Sequence, residues 1–405
     1  MWIDFIAKTH KAAFNTIYIR TMWVDGGNME WKVFHNKITA LAVEKGIPLS
    51  GAFELTSRCN FNCRMCYVAA SANDRNVRAS ELTADQWLDM GRQARNAGTF
   101  YLILTGGEIF LREDFEKIYE GLCEMGLNIT LYTNASLITP ERARWLGKIP
   151  PNKVSVTLYG ASAETYEKVT GSGENYYKTL RALESLMAEN IRLEVKTTVV
   201  EGNKKDYKEL LKIAHNYSKG LGIVNYISPR REGCGSDPLG NRLSAKDLVE
   251  YENTVQEYIR KNYDSENRLD VRIDDDTMQE KIMLKEETLN IIKSSAFRCQ
   301  AGKTGYWITW DGRMIPCGLL DTPSAKPLEE SFIKAWEQVK SECLKVPKCN
   351  DCEVCELKSD CMACPGRLNS ETGCFTKPAK YLCDSARLRR KLKQMELAEQ
   401  RVANQ

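Results

Sequence analysis

Residues 100–134 read FYLILTGGEIFLREDFEKIYEGLCEMGLNITLYTN. The apolar run FYLILT ends on two glycines, as a buried strand does where it turns. REDFEKIYEGLCEMG (112–126) then carries apolar residues at helical spacing and stops on a glycine. NITLYTN (128–134) returns to strand-like composition. Strand, helix and strand in so short a span specify a parallel crossover unit.

The same unit recurs on both sides. GAFELT (51–56) reads as a strand and TADQWLDMGRQARNAG (83–98) as a helix. TPERARWLG (139–147) is a helix with Thr139 as N-cap and Pro140 in its first position. KVSVTLYG (153–160) is a strand, helical patterns cover 162–189, and IRLEVKTTVV (191–200) is a strand. A helix over 204–219 and the strand LGIVNYIS (221–228) complete the series. The alternation predicts an α/β fold, a partial (β/α)6 TIM-like barrel, since a closed barrel would need two more units. Chemistry then belongs at the C-terminal ends of the strands. Cys59, Gly106–Glu108, Asn134 and Tyr159 all fall there.

The divisions expected are an N-terminal extension (1–50, with a helix near 29–45), the barrel (51–228), a helical connector (229–296, helices near 244–262 and 276–294), a cysteine-rich segment (297–385) and a basic tail (386–405). From 297 onward regular periodicity fades, so that segment is expected to need inorganic cross-links to fold. Hydrophobic content of 43% and charged content of 27% fit a globular chain. A net charge of +3 argues neither for nor against nucleic acid, RLRRKLKQ (387–394) reads as a solvated helix face, and no nucleic-acid partner is expected. No apolar run is long enough to span a bilayer, and Asp4, Lys8 and Lys11 interrupt any secretory segment. A cytoplasmic location follows.

In a reducing cytoplasm the 15 cysteines do not form a disulfide framework. Metal or cluster ligation is the leading explanation. His10, His35 and His215 stand apart from one another and from the cysteines, which disfavours a mixed Cys/His site. RCNFNCRMCY (58–67) holds Cys59, Cys63 and Cys66 on one tight loop. Three thiolates suit three corners of an iron–sulfur cube, leaving one iron open. A zinc site borrowing a fourth cysteine is the rival reading. Gly106-Gly107-Glu108 ends the second strand, where glycines allow close approach and Glu108 offers a carboxylate to a cation. Asn134, Thr157, Lys196 and Thr198 point to the mouth by position. Cys123, on an amphipathic helix, reads as a core residue, and Cys234, in REGCGSD, as a loop thiol.

Across roughly 51–228, the Cys59/Cys63/Cys66 loop followed by Gly106-Gly107-Glu108 resembles the radical S-adenosylmethionine (radical SAM) enzymes. The resemblance implies that the open iron of a [4Fe–4S] cluster binds the methionine moiety, with Glu108 near its amino group, and that sulfonium cleavage yields a 5′-deoxyadenosyl radical. Such families often carry an aromatic residue before the third cysteine; here Met65 stands before Cys66 and Tyr67 after it. Tyr67, Gly106, Gly107, Glu108, Asn134 and Thr157 would contact the cofactor.

Cys299 and Cys317 flank WDGRM, a hairpin turn, and CEVCELKSDCMACP follows. Taken alone, paired CxxC units suggest a zinc ribbon. Behind a radical SAM barrel they resemble the SPASM extension, which carries auxiliary four-iron clusters. Carried over, Cys299, Cys317 and Cys364 would serve one cluster and Cys352, Cys355, Cys361 and Cys383 a second, giving two auxiliary clusters. Only two residues separate Cys361 from Cys364, where three are common, and no cysteine follows Cys299 closely. The fourth ligand of the first cluster is left among Cys343, Cys349, Cys374 and an open iron. Cys374 also rivals Cys383.

The resemblance implies a radical SAM oxidoreductase acting on a ribosomal peptide or protein and installing an oxidative modification such as a thioether cross-link, with a flavodoxin or ferredoxin as electron donor. Alternatives are a small-molecule oxidase or decarboxylase, a sulfatase formylglycine maturase and, outside enzymes, a zinc-binding structural protein. The short stretch before the barrel looks small for the leader-binding domain of many peptide maturases.

Overall fold

The computed structural model describes residues 31–218, 220–229, 231, 238–263, 270–273 and 295–403. The N-terminal 30 residues, Cys234 and the expected helix at 276–294 lie outside the described residues.

The strands are β1 (Ser50–Glu54), β2 (Arg58–Cys59), β3 (Ala70–Ser71), β4 (Tyr101–Thr105), β5 (Asn128–Thr133), β6 (Lys153–Thr157), β7 (Leu193–Thr198), β8 (Gly220–Val224), β9 (Asp270–Ile273), β10 (Gly305–Ile308) and β11 (Met314–Ile315). One sheet runs in the order β11-β10-β1-β4-β5-β6-β7-β8-β9. The six expected strands lie side by side in chain order, all parallel. The sheet extends further than expected: β10 pairs parallel with β1, and β9 with β8. Among the described residues its two ends, β11 and β9, do not pair, and the barrel stays open between them.

Register sorts the side chains by face, because alternate residues of a strand point opposite ways. Phe53, Leu104, Leu131, Val154 and Leu193 fall in register and are buried. Phe53 packs on Trp87 of the helix Ala84–Ala97, with ring centroids 5.0 Å apart. The opposite, inner face carries Tyr132, Ser155 and Glu194 in one row and Thr157 and Lys196 in the next. A polar inner face is what a barrel needs if its lumen is to hold a polar ligand rather than a packed core.

The helix boundaries follow local chemistry. Thr83 and Gln86 form a capping box at the head of Ala84–Ala97, and Gly98 ends it at φ 111°. Thr139 caps Pro140–Lys148 as expected. The helix Trp31–Lys45 closes the N-terminal end of the barrel, where His35 Nδ1 lies 2.9 Å from the Tyr101 hydroxyl. His35 is thus a packing residue.

The C-terminal segment departs from expectation in two ways. First, it is more than a cross-linked loop. The hairpin β10–β11 turns at Asp311-Gly312, with Gly312 at φ 87°, and joins the barrel sheet. The helix Phe332–Lys345 sinks Phe332, Ala335, Trp336 and Val339 into the main core. Burying each of the larger ones contributes roughly 1.5–3 kcal/mol.

Second, the basic run is only in part a solvated face. It lies on the helix Lys380–Ala403, which crosses the expected boundary at 385/386. Arg389 forks onto Glu252 at 2.7 and 2.8 Å. Arg390 and Lys393 each reach Asp360 at 2.6 Å. Glu252 belongs to the helix Ala245–Asn262, so the run clamps the last helix to the connector.

Candidate active site

The trio loop leaves the C-terminal end of β1. Its ends are pinned by a two-residue parallel bridge, Arg58 to Ala70 and Cys59 to Ser71. Cys59 and Cys63 are buried and Cys66 half-buried. Backbone N–H groups point at the sulfurs: Phe61 N–H donates to Cys59 Sγ at 3.4 Å and Ala69 N–H to Cys66 Sγ at 3.2 Å. Asn134 Nδ2 stands 3.8 Å from Cys59 Sγ. Burial pushes the Cys59 thiol up to about 12 and raises Cys63 and Cys66 as well, and the thiols oppose one another's ionisation. Such a trio becomes thiolate when a positively charged iron centre repays the desolvation. The buried sulfurs and the N–H donors aimed at them fit a cluster.

Two buried networks hold the loop. Arg58 forks onto Glu81 at 2.7 and 2.9 Å, and Arg112 approaches the same carboxylate at 3.5 Å. Arg112 also donates to the carbonyls of Leu55 and Leu82. On the other side Asn134 Nδ2 donates to Asn60 Oδ1 at 3.0 Å, and its Oδ1 accepts from Ser136. Behind Cys63 sits an aromatic group of Phe61, Tyr159, Tyr166 and Tyr176. The Tyr159 hydroxyl hydrogen-bonds Cys63. Sequence reading flagged Tyr159 only as a strand-end residue and missed the Arg58–Glu81–Arg112 brace, whose partners lie far apart in the chain.

Gly106, Gly107 and Glu108 stand beside the loop, with a different immediate task. A Cβ on Gly106 would lie 2.2 Å from the Thr56 carbonyl oxygen, and one on Gly107 2.2 Å from that of Arg58. The glycines let this turn press against the chain entering the trio, where Gly107 N–H donates to Thr56 O and Glu108 N–H to Arg58 O. Glu108 is fully buried. Its carboxylate accepts from Phe110 N–H, Asn134 N–H and the Thr133 hydroxyl. It staples the end of β4 to the end of β5 instead of opening toward the mouth, and burial raises its pKa.

Asn134 likewise serves the cysteine loop. Thr157 is half-buried on the inner face at the end of β6. Lys196 Nζ donates to the Tyr132 hydroxyl at 2.9 Å and lies 3.4 Å from Glu194. Met65 is buried. Cys123 packs against the core as expected.

Tyr67 lines a cavity of about 270 Å³, together with Ser228 and Arg231 from the barrel side and Gly318, Asp321 and Asn369 from the C-terminal segment. Arg231, in its wall, belongs to a buried polar group. Arg231 donates to Glu54 at 2.5 Å, and Trp307 Nε1 donates to the other Glu54 oxygen at 2.9 Å. The Arg231 guanidinium lies over the Tyr67 ring, 5.9 Å from its centroid. Glu54 ends β1, so this group is built on the same strand that delivers the trio.

The C-terminal thiols gather in two places. Cys352, Cys355, Cys361 and Cys383 feel one another's charge, and Cys349 joins them in direct contact with Cys352. Cys299, Cys317 and Cys364 form the other group. Cys374 stays apart, hydrogen-bonded to Thr376. Among the described residues no three His, Cys, Asp or Glu side chains stand close enough to hold a single metal ion. A polynuclear cluster takes its thiolates at separate corners and asks for a wider ring.

A sequence model of the Radical SAM superfamily matches residues 53–215. The chain is 28% identical over 346 residues to the AdoMet-dependent heme synthase of Methanosarcina barkeri, covering 82% of this chain and 95% of that protein. It is 22% identical over 298 residues to the sporulation killing factor maturation protein SkfB of Bacillus subtilis, covering 72% of this chain and 65% of that one. The fold matches that of Streptococcus suis SuiB bound to its precursor peptide SuiA, with a TM-score of 0.66, 18% identity and coverage of 91% and 88%. Among the described residues no helix is long and apolar enough to cross a membrane. With its cysteine trio at the C-terminal edge of a parallel open barrel, the chain is an enzyme with a radical SAM domain, to which S-adenosylmethionine and a [4Fe–4S] cluster belong.

Proposed function

We propose that the chain is a cytoplasmic radical SAM oxidoreductase with a SPASM-type C-terminal segment that modifies a ribosomal peptide or protein. Cys59, Cys63 and Cys66 would hold a [4Fe–4S] cluster with S-adenosylmethionine, which would supply abstraction of a hydrogen atom from a substrate carbon once a flavodoxin or ferredoxin delivers an electron. Joining a substrate thiol to that carbon would release a proton and an electron, and the C-terminal thiols would hold a cluster able to accept the electron. The net product is a thioether formed with loss of two hydrogens.

The observation that carries this reading is the cavity beside Tyr67, walled by the barrel on one side and by Gly318–Thr322 and Asn369–Ser370 on the other. A substrate held there lies between the trio loop and the C-terminal thiols, as radical formation followed by electron removal requires. Likeness to SkfB, and to SuiB with its peptide, supports a peptide substrate. In this reading Tyr67, Thr157 and the Gly106–Gly107 turn border the cofactor, while Asn134 and Glu108 act by holding the loop.

The test is anaerobic incubation of reconstituted enzyme with candidate precursor peptides. Loss of two hydrogens from a peptide, with matching 5′-deoxyadenosine, is the expected result. A second reading rests on the match along 95% of the M. barkeri heme synthase: oxidative decarboxylation of a small carboxylate such as a haem precursor. Carbon dioxide released from a porphyrin carboxylate, with the peptide panel unchanged, would replace the first reading with the second.

A further inference from the structure

The group containing Cys299, Cys317 and Cys364 poses the same question as the trio loop: three thiols and a position left over. The structure brings a fourth thiol there from a distant helix. Cys343 sits in the last turn of Phe332–Lys345 and is 2% exposed. A Cβ on Gly302 would lie 2.4 Å from Cys343 Sγ and 2.6 Å from its Cβ. Cys343 therefore rests directly on the turn that begins at Cys299.

That turn is rigid. The Gln300 carbonyl accepts the N–H groups of Lys303, Thr304 and Gly305, and Gly302 holds φ at 66°. On the opposite side, a Cβ on Gly366 would lie 3.6 Å from Cys317 Sγ. Gly366 stands two residues beyond Cys364, whose Sγ accepts the Arg367 N–H at the head of Pro365–Thr372. Cys343 thus meets the Cys299 turn through Gly302, while Gly366 brings the head of the Cys364 helix against Cys317.

Packing alone explains why a residue at position 343 is buried. Phe332, Trp336, Val339 and Cys343 form the apolar stripe of that helix. It does not explain why the stripe ends on a thiol laid against the turn that follows Cys299. Four thiolates complete a cubane, each losing its proton as it binds iron.

Building on the proposed SPASM-type reading, we propose that Cys343 is the fourth thiolate of the Cys299–Cys317–Cys364 site, and that these residues hold a [4Fe–4S] cluster with every iron protein-ligated. This cluster carries electrons and does not coordinate substrate. Substrate positioning falls instead to the cavity walls. The helix Phe332–Lys345 also ties the cluster to the barrel, because Trp336 of the same helix donates to the Gly46 carbonyl at 2.8 Å.

The experiment compares wild type, Cys343→Ala, Cys343→Ser and Cys374→Ala after anaerobic reconstitution with 57Fe. It reads iron, sulfide and zinc content, Mössbauer spectra and the EPR of oxidised and reduced protein, with circular dichroism to check folding. Wild type is expected to hold about 12 irons, as three Cys-ligated four-iron clusters. Cys343→Ala should lose about four of them or show the signal of a three-iron cluster. Cys343→Ser should keep the iron with an altered EPR signal, and Cys374→Ala should match wild type. Unchanged iron and EPR in Cys343→Ala would overturn the assignment while leaving the auxiliary clusters standing. If Cys343→Ala does not fold, an unchanged signal in Cys343→Ser overturns it. Wild type with only about four irons, or with stoichiometric zinc, would overturn the SPASM-type reading itself.

Discussion

The two cysteine-bearing regions are built in opposite ways. The trio loop takes its three thiols from Cys59 to Cys66 and braces them with the protein's own buried groups. The C-terminal thiols come from residues 299–383, spread over turns, short helices and the helices Phe332–Lys345 and Lys380–Ala403. Among the described residues, Phe297, Ala301, Tyr306, Ile308, Met314 and the Phe332 stripe pack into the main core, while the thiols from 349 onward sit by a smaller core of Tyr226, Cys349, Leu368, Ala379 and Leu382. A preorganised site keeps its shape before the metal arrives. A site with little apolar support gains its shape from the metal.

The largest effect expected from this contrast is chemical. Cys63→Ala removes a buried thiol of the trio without touching the C-terminal segment. 5′-Deoxyadenosine formation should fall below detection, while about eight irons remain bound elsewhere. Liquid chromatography with mass spectrometry and an iron assay read both. Residual 5′-deoxyadenosine near the wild-type rate would remove the trio from catalysis.

Next is the brace. Arg58→Ala leaves the Glu81 carboxylate, 6% exposed, with Arg112 as its one remaining cation among the described residues, beside the Thr56 hydroxyl. Removing one partner of a buried pair costs about 3–5 kcal/mol. Urea denaturation of the iron-free protein should show that loss, with Glu81→Gln behaving alike. A change under about 1 kcal/mol would mean the loop is held by the Asn134 side only.

Much of this was readable in advance, and the reasons for the rest are physical. The six barrel strands and their helices are local patterns, so periodicity and capping residues such as Thr83, Thr139 and Gly98 reveal them. Strand β10 is not local in that sense. GYWI reads as one arm of a hairpin, and nothing in it announces parallel pairing with Ser50–Phe53. Glu108 was legible as important but not in its orientation, because its partners Thr133 and Asn134 come from the next strand. The basic run misled for the same reason. Its partners, Glu252 and Asp360, sit on other elements, and a charge run shows no sign of them. The stripe of Phe332, Trp336 and Val339 was in plain view, yet the density of cysteines around it suggested a segment without a core of its own.

A third test works on the contrast directly. Stripping iron with an anaerobic chelator should speed amide exchange across 299–383 by roughly a hundredfold, while strands β1 and β4–β8 keep their protection. Equal loss in both regions, read by hydrogen exchange with mass spectrometry, would mean the barrel too is shaped by its cluster.

The smallest expected effect concerns how the C-terminal segment is held without metal. Asp360 receives Arg390 and Lys393, and its own carboxylate is 2% exposed. The Lys393 hydrogen bond, then that of Arg390, holds its pKa below the usual 3.8. A carboxylate depressed on folding stabilises the native state above its unfolded pKa, and this contribution is lost as pH falls through the lower folded value. Asp360→Asn should therefore cost about 1–2 kcal/mol at neutral pH, a modest figure because both cations are partly solvated. The gap to wild type should persist down to about pH 4 and close below it. Denaturation midpoints across that range measure it. A gap that stays constant into acid would assign the stabilisation to the shape of the Asp360 turn rather than to its charge.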